Sequence, residues 1–170
     1  MAAPYVYVYP QGTDPSAPRR PQGVIVDPCL CVPNPVDLEI ELKFSDRRNI
    51  TDREFVIRDV DENLLFRVKE PEFRLTGKKT LLDYSGFQIL TLRPAWVAFN
   101  SRWQVFRGAS KEERDLMYTV QLTGLWEFDV FLAHNKEKKI CDFRIKANRR
   151  QFDRTCVIFA GDSDTIVAQD

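Results

Sequence analysis

The sequence predicts an all-β fold, an antiparallel meander of short strands that closes into a barrel or packs as a sandwich. A strand-turn-strand unit occurs twice, at residues 59–68 and 83–92. In each copy an Asp and small turn-forming residues separate two short apolar runs, as a hairpin requires. Strand-like runs continue along the rest of the chain, and no long helical pattern interrupts them. Many short strands without a long helix are typical of β-barrels and β-sandwiches.

The first 35 residues differ in composition from the rest of the chain. Eight of the ten prolines lie there, at positions 4, 10, 15, 18, 21, 28, 33 and 35. Such a stretch cannot supply a regular ladder of backbone donors, so residues 1–35 are predicted to be a disordered tail that folding does not require. Residues 36–170 are predicted to form one β domain, long enough to bury roughly two-thirds of the surface of its unfolded chain.

Eleven strands are predicted from β-branched and aromatic runs that are bounded by turn residues. They cover residues 38–43, 55–59, 64–69, 80–82, 88–93, 102–107, 116–122, 128–133, 140–146, 155–160 and 165–169. In the ninth of these, Cys141, Phe143 and Ile145 alternate with charged residues. This alternation predicts one buried face and one charged face for that strand.

Three local features refine the pattern. Ser110 and Glu113 have the spacing of a capping box and mark the only helix-like segment, predicted to be a single turn or a loop. Strand alternation places Arg102 and Arg107 on opposite faces, and one of them is expected to be buried against an acidic partner; the sequence does not select which. The tryptophans fall in or beside strand runs and are expected to pack in the core: Trp96, Trp103 and Trp126.

Charge is balanced over the chain, with 25 basic and 25 acidic residues, so the composition does not indicate nucleic-acid binding. Residues 136–154 depart from this balance, with eight basic and three acidic residues. Their side chains are candidates for binding anionic membrane phospholipid, from the strand and its adjoining loops: Lys136, Lys138, Lys139, Arg144, Lys146, Arg149 and Arg150. The alternative is a solvated charged face, which Asp142 and Asp153 partly offset.

No motif supplies a catalytic, cofactor or metal site. His134 is the only histidine, and it lies in a polar run without a candidate partner, so it is predicted to be an exposed turn residue. The four cysteines, Cys29, Cys31, Cys141 and Cys156, are predicted to be free thiols in a reducing compartment. The sequence shows neither a signal peptide nor an apolar run that would span a bilayer. A non-enzymatic, intracellular protein without a transmembrane segment is therefore predicted.

Four motifs in register resemble segments of the plant LURP-one-related family. They read Arg-Trp-Gln-Val-Phe-Arg-Gly at 102–108, Asp-Val-Phe-Leu-Ala at 129–133, Cys-Asp-Phe-Arg-Ile-Lys at 141–146 and Ala-Gly-Asp-Ser-Asp-Thr-Ile-Val-Ala-Gln at 160–169. With the turn at 83–86, the similarity covers about residues 36–169. The resemblance implies a tubby-like fold, a closed β-barrel threaded by one hydrophobic C-terminal helix, akin to the tubby C-terminal domain and to phospholipid scramblases.

Family members continue past the Ala-Gln at positions 168–169, with two further strands and the apolar helix. By this comparison the chain is expected to be truncated, with an incomplete barrel, inner apolar side chains that line a cavity or meet solvent, and an open edge.

The resemblance also implies a link to plant defence and, through tubby-like domains, phosphoinositide binding by basic residues. The expected function is that of a cytoplasmic binding domain, at the plasma membrane or in the nucleus. The alternative is a regulatory module that recruits a protein partner through the barrel surface or the open edge.

Overall fold

A computed structural model of the chain describes residues 5–8, 26, 30, 36–44, 53–70, 77–97, 100–149 and 154–169. Within these ranges the backbone forms twelve β-strands and one short 3-10 turn, Glu113–Asp115. The strands are β1 Tyr5–Val8, β2 Leu38–Phe44, β3 Arg53–Asp59, β4 Leu64–Lys69, β5 Lys79–Asp83, β6 Gln88–Val97, β7 Asn100–Arg107, β8 Leu116–Leu122, β9 Glu127–Leu132, β10 Phe143–Arg149, β11 Arg154–Ala160 and β12 Ile166–Gln169. The predicted all-β fold is confirmed, and the eleven predicted strands correspond to β2 through β12.

From β2 to β12, each strand pairs antiparallel with its neighbours in the chain, in unbroken order. β1 then pairs with both end strands: Val6 lies opposite Leu38 of β2, and Val8 lies opposite Ala168 of β12. The strand order therefore returns to its start and forms a ring. The joint is narrow, because β1 has four residues and shares only two residue pairs with each end strand.

This joint, which we call the seam, differs from the open edge expected at the C-terminal strand. β12 is paired with β1 at Ala168 and Gln169, whereas residues 40–44 of β2 have no strand partner on their seam side within the described part of the chain. β1 lies inside the segment predicted to be a tail. Most of residues 1–35 fall outside the described ranges, so the boundary at residue 36 stays a prediction.

The repeated hairpin unit has the same hydrogen bonds in both copies. Asp59 Oδ1 accepts the backbone N–H groups two and four residues later, at 3.0 and 2.8 Å. Asp83 Oδ1 accepts the N–H groups at the same spacing, at 2.9 and 2.8 Å. Three positions after each Asp the backbone is left-handed, at Glu62 (φ 63°) and Gly86 (φ 90°). Local side-chain chemistry therefore builds both turns.

Alternation along the paired strands separates an inner face from an outer face. One inward row crosses five neighbouring strands through Leu42, Phe55, Val68, Leu81 and Leu90. Leu90 is 3% exposed, whereas Leu42 is 41% exposed. The difference follows from the seam, because no described strand lies beside this part of β2. Apolar inner-facing side chains near the seam therefore meet solvent, as the sequence analysis expected.

The best buried part of the sheet is formed by β6 to β9. Inward-facing Val105 and Leu132 are 1% and 7% exposed, and outward-facing Thr91 and Phe131 are 1% and 7% exposed. The β9–β10 loop contributes to the outer cover, since Lys138 Nζ lies 5.9 Å from the centre of the Phe131 ring. Strands that are buried on both faces give a firm base for any side chains that they carry.

The predicted core role of the tryptophans holds for only part of the set. Trp103 is half-buried on the inner face, with Lys79 Nζ 5.7 Å from its ring centre. Trp126 lies in the short β8–β9 connection and is 38% exposed, so core packing is wrong for this residue. A tight connection between two strands projects its side chains beyond the sheet. The side chain of Trp96 lies outside the described residues.

The predicted capping box is also wrong. Ser110 Oγ accepts the N–H of Glu112 at 3.1 Å and donates to Asp115 Oδ2 at 2.6 Å. The 3-10 turn has Glu112 at its N-cap, without a hydrogen bond from a capping side chain. Ser110 therefore fixes the turn from outside it, because it lies two residues before the N-cap Glu112 and accepts the N–H of that residue.

Candidate anion-binding face

The loop that joins β9 to β10 contains three of the seven predicted lipid-binding residues. Its shape is fixed by two polar side chains. Asp142 Oδ2 accepts hydrogen bonds from the N–H of Leu132 and from Asn135 Nδ2, both at 2.8 Å. Asn135 Oδ1 accepts the N–H of Lys138 at 3.1 Å. A longer β10 would pair with the N–H of Leu132. Because this N–H donates to the Asp142 carboxylate, β10 begins three residues later than predicted.

The three lysines of this loop have different surroundings. Lys139 is paired with Glu137, with 2.8 Å between Nζ and Oε2. Lys136 is exposed, and Lys138, whose φ is 51°, extends back over the outer surface of β9. Neither Lys136 nor Lys138 forms an ion pair with a carboxylate of the described residues. Two of the three loop lysines are therefore open to an external anion.

On β10, each outward basic residue faces an acidic residue of β9. Arg144 lies opposite Asp129, and Lys146 lies opposite Glu127. Arg144 Nε donates to Asp129 Oδ1 at 3.0 Å, and Arg144 Nη2 donates to Asp162. The hydrogen bond to Asp129 raises the pKa of Arg144 above its usual range. Arg144 thus holds β9, β10 and the β11–β12 turn together, and its charge is already compensated.

Of the last two predicted residues, the structure describes only the backbone of Arg149. Arg149 is the final residue of β10, and six residue steps at about 3.3 Å place its backbone roughly 20 Å from the start of the strand. Its side chain, and the whole of Arg150, are outside the described residues. The five predicted residues whose side chains are described are divided between the β9–β10 loop and β10, and the structure does not bring these five together in one cluster.

A second basic surface, which the local charge of the sequence does not indicate, lies on the neighbouring strands. β6, β7 and β8 contain neither Asp nor Glu, but they carry two outward-facing arginines, Arg93 and Arg102. Arg93 is exposed beside Gln104, and Arg102 is half-buried beside Gln121. We call Arg93 and Arg102, together with Lys136 and Lys138 of the adjoining loop, the β6–β8 basic face. The sequence feature that could have revealed this surface is the absence of Asp and Glu from three consecutive strands.

Arg102 is the unusual residue of this face. Its Nε is buried and has no hydrogen-bond partner among the described residues. The carboxylate that the strand register places in its row, Asp129, is already bound by Arg144. The prediction of a buried arginine with an acidic partner is therefore wrong for Arg102. Arg107, on the opposite face, is exposed and donates from Nη1 to the carbonyl oxygen of Val26 at 3.1 Å.

Lys138 and Arg102 are coupled by their like charges. The pKa of Lys138 is lowered, first by the partial withdrawal of its ammonium group from water and second by the positive charge of Arg102. Such repulsion is relieved when an anion binds between two cations. The arrangement is chemically suited to holding a negatively charged group on the outer wall of the barrel.

Other candidate residues have surroundings that do not favour chemistry. His134 is 75% exposed, with Nε2 4.0 Å from Asp142 Oδ1. Burial raises the pKa of the Cys141 thiol to about 11, so this thiol stays protonated and is a poor nucleophile. The described residues contain no group of three or more His, Cys, Asp or Glu side chains arranged to hold a metal ion. In the same residues, no helix has the length and apolar character needed to cross a membrane.

Comparison with known proteins agrees with the motifs and the fold. A family model described as LURP-one-related matches residues 37–170. The chain belongs to the LURP-one-related family. This LURP-one-related chain is 51% identical to Protein LURP-one-related 15 of Arabidopsis thaliana, over 99% of the chain and 78% of that protein. It is 50% identical to Protein LURP1 of the same plant, over 85% of the chain and 70% of that protein.

The fold of this LURP-one-related chain also has a solved counterpart. An X-ray structure of a protein from Arabidopsis thaliana matches it with a TM-score of 0.64 and 48% sequence identity. The match covers 86% of this chain and 78% of the solved chain. The resemblance drawn from the four sequence motifs is confirmed at the level of the family and of the all-β fold.

Proposed function

We propose that this domain is a non-enzymatic binding module that associates with anionic phospholipid membranes through the β6–β8 basic face. In this proposal the domain acts inside the cell, at the cytoplasmic leaflet of the plasma membrane, in the defence-related setting that its family resemblance implies. Phosphoinositides are the proposed lipid class, because their headgroups carry the highest negative charge in that leaflet.

One observation carries the proposal. β6 and β7 carry outward-facing arginines, and β6 to β8 carry no carboxylate. The adjoining loop adds Lys136 and Lys138, which form no ion pair within the described residues. Elsewhere on the wall, basic side chains face acidic ones, as with Lys146 and Glu127. The β6–β8 basic face is therefore the part of the described outer wall where positive charge is least compensated.

The size of the effect fits weak, reversible binding. Each cation near an acidic leaflet adds about 1 kcal/mol of attraction, so Arg93, Arg102, Lys136 and Lys138 together supply about 4 kcal/mol. That free energy corresponds to a dissociation constant of about 1 mM. Stable residence at a membrane then needs a more specific headgroup contact, or further basic residues.

The proposal is tested by co-sedimentation of the protein with vesicles that contain phosphatidylcholine with or without a phosphoinositide. A double variant, Arg93→Gln with Lys136→Gln, should bind the phosphoinositide vesicles several-fold more weakly than the wild type. The matched control, Arg67→Gln with Lys69→Gln, removes two charges from β4, where both residues lie beside Glu54. Equal weakening by both double variants would contradict the assignment of this face.

A second function is favoured by the seam. Residues 40–44 of β2 present an edge without a described partner, and Ile40 and Leu42 are 36% and 41% exposed. An extended segment of a protein partner that adds to this edge would gain backbone hydrogen bonds and cover both side chains. Salt separates the two functions, because screening weakens headgroup binding and leaves strand addition nearly unchanged. Partner binding that persists at about 1 M salt would favour the seam over the basic face.

A further inference from the structure

We propose that the two repeated hairpin turns form a docking surface for a protein partner, and that this partner presents an amphipathic helix with a basic polar face. The surface consists of Val60, Tyr84 and Phe87, with the carboxylates of Asp61 and Glu62 beside them. We call it the hairpin surface. It contains none of the residues of the β6–β8 basic face, so this inference does not depend on the membrane function.

The first support is the exposure of the three apolar side chains. Val60, Tyr84 and Phe87 are 67%, 72% and 71% exposed. Single exposed apolar residues are common on protein surfaces, whereas a group of them marks a site of interaction. They form a group here because Phe66 of β4 pairs with Asp83 of β5, which places the β3–β4 turn directly beside the β5–β6 turn. The three side chains therefore lie on neighbouring turns, mostly open to solvent.

The second support is the spacing of the apolar groups. Val60 and Tyr84 each directly follow the Asp of their turn, and the two turns have the same hydrogen bonds. Equivalent positions of the two copies are two strands apart, which is about 10 Å at the usual spacing of neighbouring strands. Seven residues of an α-helix span about 10.5 Å, so one apolar face of a helix contacts both turns.

The backbone of the turns favours a helix over an extended partner segment. In each turn the Asp carboxylate accepts two backbone N–H groups, at 2.8 to 3.0 Å. The N–H three residues after each Asp donates to the carbonyl oxygen of that Asp, at 3.1 Å in both copies. A partner that adds as a strand needs free backbone groups, and these donors are already used. A helix forms its backbone hydrogen bonds internally and binds through its side chains.

Charge selects the polar face of the helix. The three neighbouring connections at this end of the barrel contain five acidic and two basic residues, at 60–63, 84–87 and 108–115. Asp61 and Glu62 are exposed, and neither forms an ion pair within the described residues. Lysine or arginine side chains that flank the apolar face of the helix complement this charge. The same carboxylates repel an anionic membrane and the equivalent end of a second copy.

Glu62 also has an unusual backbone conformation. Its φ is 63°, and the equivalent residue of the second copy is Gly86, with φ 90°. Glycine adopts this conformation freely, whereas a residue with a side chain adopts it at a cost in free energy. Glycine would therefore suit the turn better, and what the glutamate adds is a carboxylate beside the apolar group. Backbone strain of this kind is typical of functional positions.

The first experiment measures the binding of a labelled synthetic helix by fluorescence anisotropy. The probe is a peptide of about 20 residues with leucine on one face and lysine on the other, and the control peptide has glutamate in place of lysine. The lysine peptide should bind the wild type about tenfold more tightly than the glutamate peptide. Equal binding of the two peptides would overturn the proposed charge of the partner.

Variants of the protein then locate the lysine peptide. Tyr84→Ser with Phe87→Ser should weaken its binding by about tenfold or more, because the apolar contact is lost. Leu125→Ser is the matched control, since it removes an 85% exposed leucine from the opposite end of the barrel, and it should leave binding unchanged. Equal weakening by the double variant and by the control would overturn the hairpin surface.

The second experiment separates a binding role of Glu62 from a structural one. Glu62→Gly should weaken the binding of the lysine peptide several-fold, while its melting temperature equals that of the wild type or exceeds it, because glycine relieves the left-handed backbone. Unchanged peptide binding in this variant would contradict the role assigned to the carboxylate.

Two further measurements test the other occupants of the hairpin surface. Loss of phosphoinositide-vesicle binding in Tyr84→Ser with Phe87→Ser would assign the apolar group to membrane contact. A wild-type dimer in sedimentation velocity that the same double variant abolishes would assign the group to a second copy of the chain. Either result would overturn the inference of a basic helical partner, whereas a monomeric wild type and unchanged vesicle binding are the expected results.

Discussion

Two arginines on the outer wall show how position determines the role of a residue. Arg144 donates to two carboxylates, Asp129 and Asp162, and its charge is compensated by the fold itself. Arg102 lies in the same row of the sheet, two strands from Asp129, with a buried and unpaired Nε. The predicted lipid-binding set contained Arg144 and omitted Arg102. Net charge along the sequence cannot distinguish them, because the difference comes from strand pairing.

The turn aspartates lead to a pH-dependent prediction. Hydrogen bonds, the largest from the side chains of Asn63 and Ser85, lower the pKa of Asp59 and Asp83 below the ordinary 3.8. A carboxyl whose folded pKa is lowered adds stability above the unfolded pKa, and this stability is lost as the pH falls through the folded pKa. Asp83→Ala should therefore lower the melting temperature at neutral pH, and the difference from the wild type should shrink below pH 3.8.

Thermal melts from neutral pH to about pH 2 check this prediction. Asp83→Asn keeps an acceptor oxygen without the charge, so it should lose less stability and show a weaker pH dependence. Asp164→Ala, an exposed aspartate in the β11–β12 turn, is the matched control. A stability loss in Asp83→Ala that stays constant down to the lowest pH would contradict the role assigned to the carboxylate charge.

At the scale of elements, the sequence predicts what local chemistry builds. The repeated hairpin was predictable because Asp59 and Asp83 bond to backbone groups within four residues. The start of β10 was not predictable, because it depends on a hydrogen bond from the N–H of Leu132 to the Asp142 side chain across the loop. β1 was also missed, since four residues in a Pro-rich stretch acquire a strand conformation only by pairing with β2 and β12, which lie far away in sequence.

Only part of the candidate site was predictable from the sequence, for the same reason. The sequence located Lys138 through the local excess of lysine, and this residue remains in the proposed site. It did not indicate that Lys146 faces Glu127, because those residues meet only through strand register. Arg102 is important because no carboxylate lies beside it on β6 or β8. Such a property becomes visible only when neighbouring strands are aligned.

The seam gives a prediction for β1. Deleting residues 1–8 removes the residue pairs that join β2 to β12. The melting temperature should fall by a few degrees, as expected for a loss of about 1 kcal/mol. The exposed edges should also increase self-association, which sedimentation velocity measures. Replacing residues 1–8 with a Gly-Ser segment of the same length is the control for chain length. An unchanged melting temperature and an unchanged monomer fraction would show that β1 does not hold the seam.

At the scale of the molecule, one end of the barrel differs in charge from the outer wall that carries Arg93 and Arg102. The connections that follow β3, β5, β7, β9 and β11 all reach the same end, because consecutive strands are antiparallel. Residues 60–63, 84–87, 108–115, 133–142 and 161–165 form these connections and contain nine acidic and five basic residues. Four apolar side chains are prominent there: Val60, Tyr84, Phe87 and Ile140, each more than 60% exposed. The acidic connections of this end are repelled by an anionic membrane, so the barrel should approach with its wall and with the 133–142 connection, which carries Lys136 and Lys138.

This orientation is testable with the exposed aromatic pair. Tyr84→Ser with Phe87→Ser removes two apolar side chains that are 72% and 71% exposed at the acidic end. If the wall contacts the membrane, this double variant should bind phosphoinositide vesicles as the wild type does. A large loss of binding, with the far-ultraviolet circular dichroism unchanged, would indicate insertion of the barrel end.

The narrow joint at β1 also determines where the molecule opens first. Strands with few partners exchange their amide hydrogens through small local fluctuations, whereas strands that are covered on both faces exchange only when the whole domain unfolds. Amides of β1, β12 and the free half of β2 should therefore exchange early, and those of β6 to β8 late. The ring should therefore open first at the seam. The strands β6 to β8, one of which carries Arg102, should stay folded while the strands at the seam open and close.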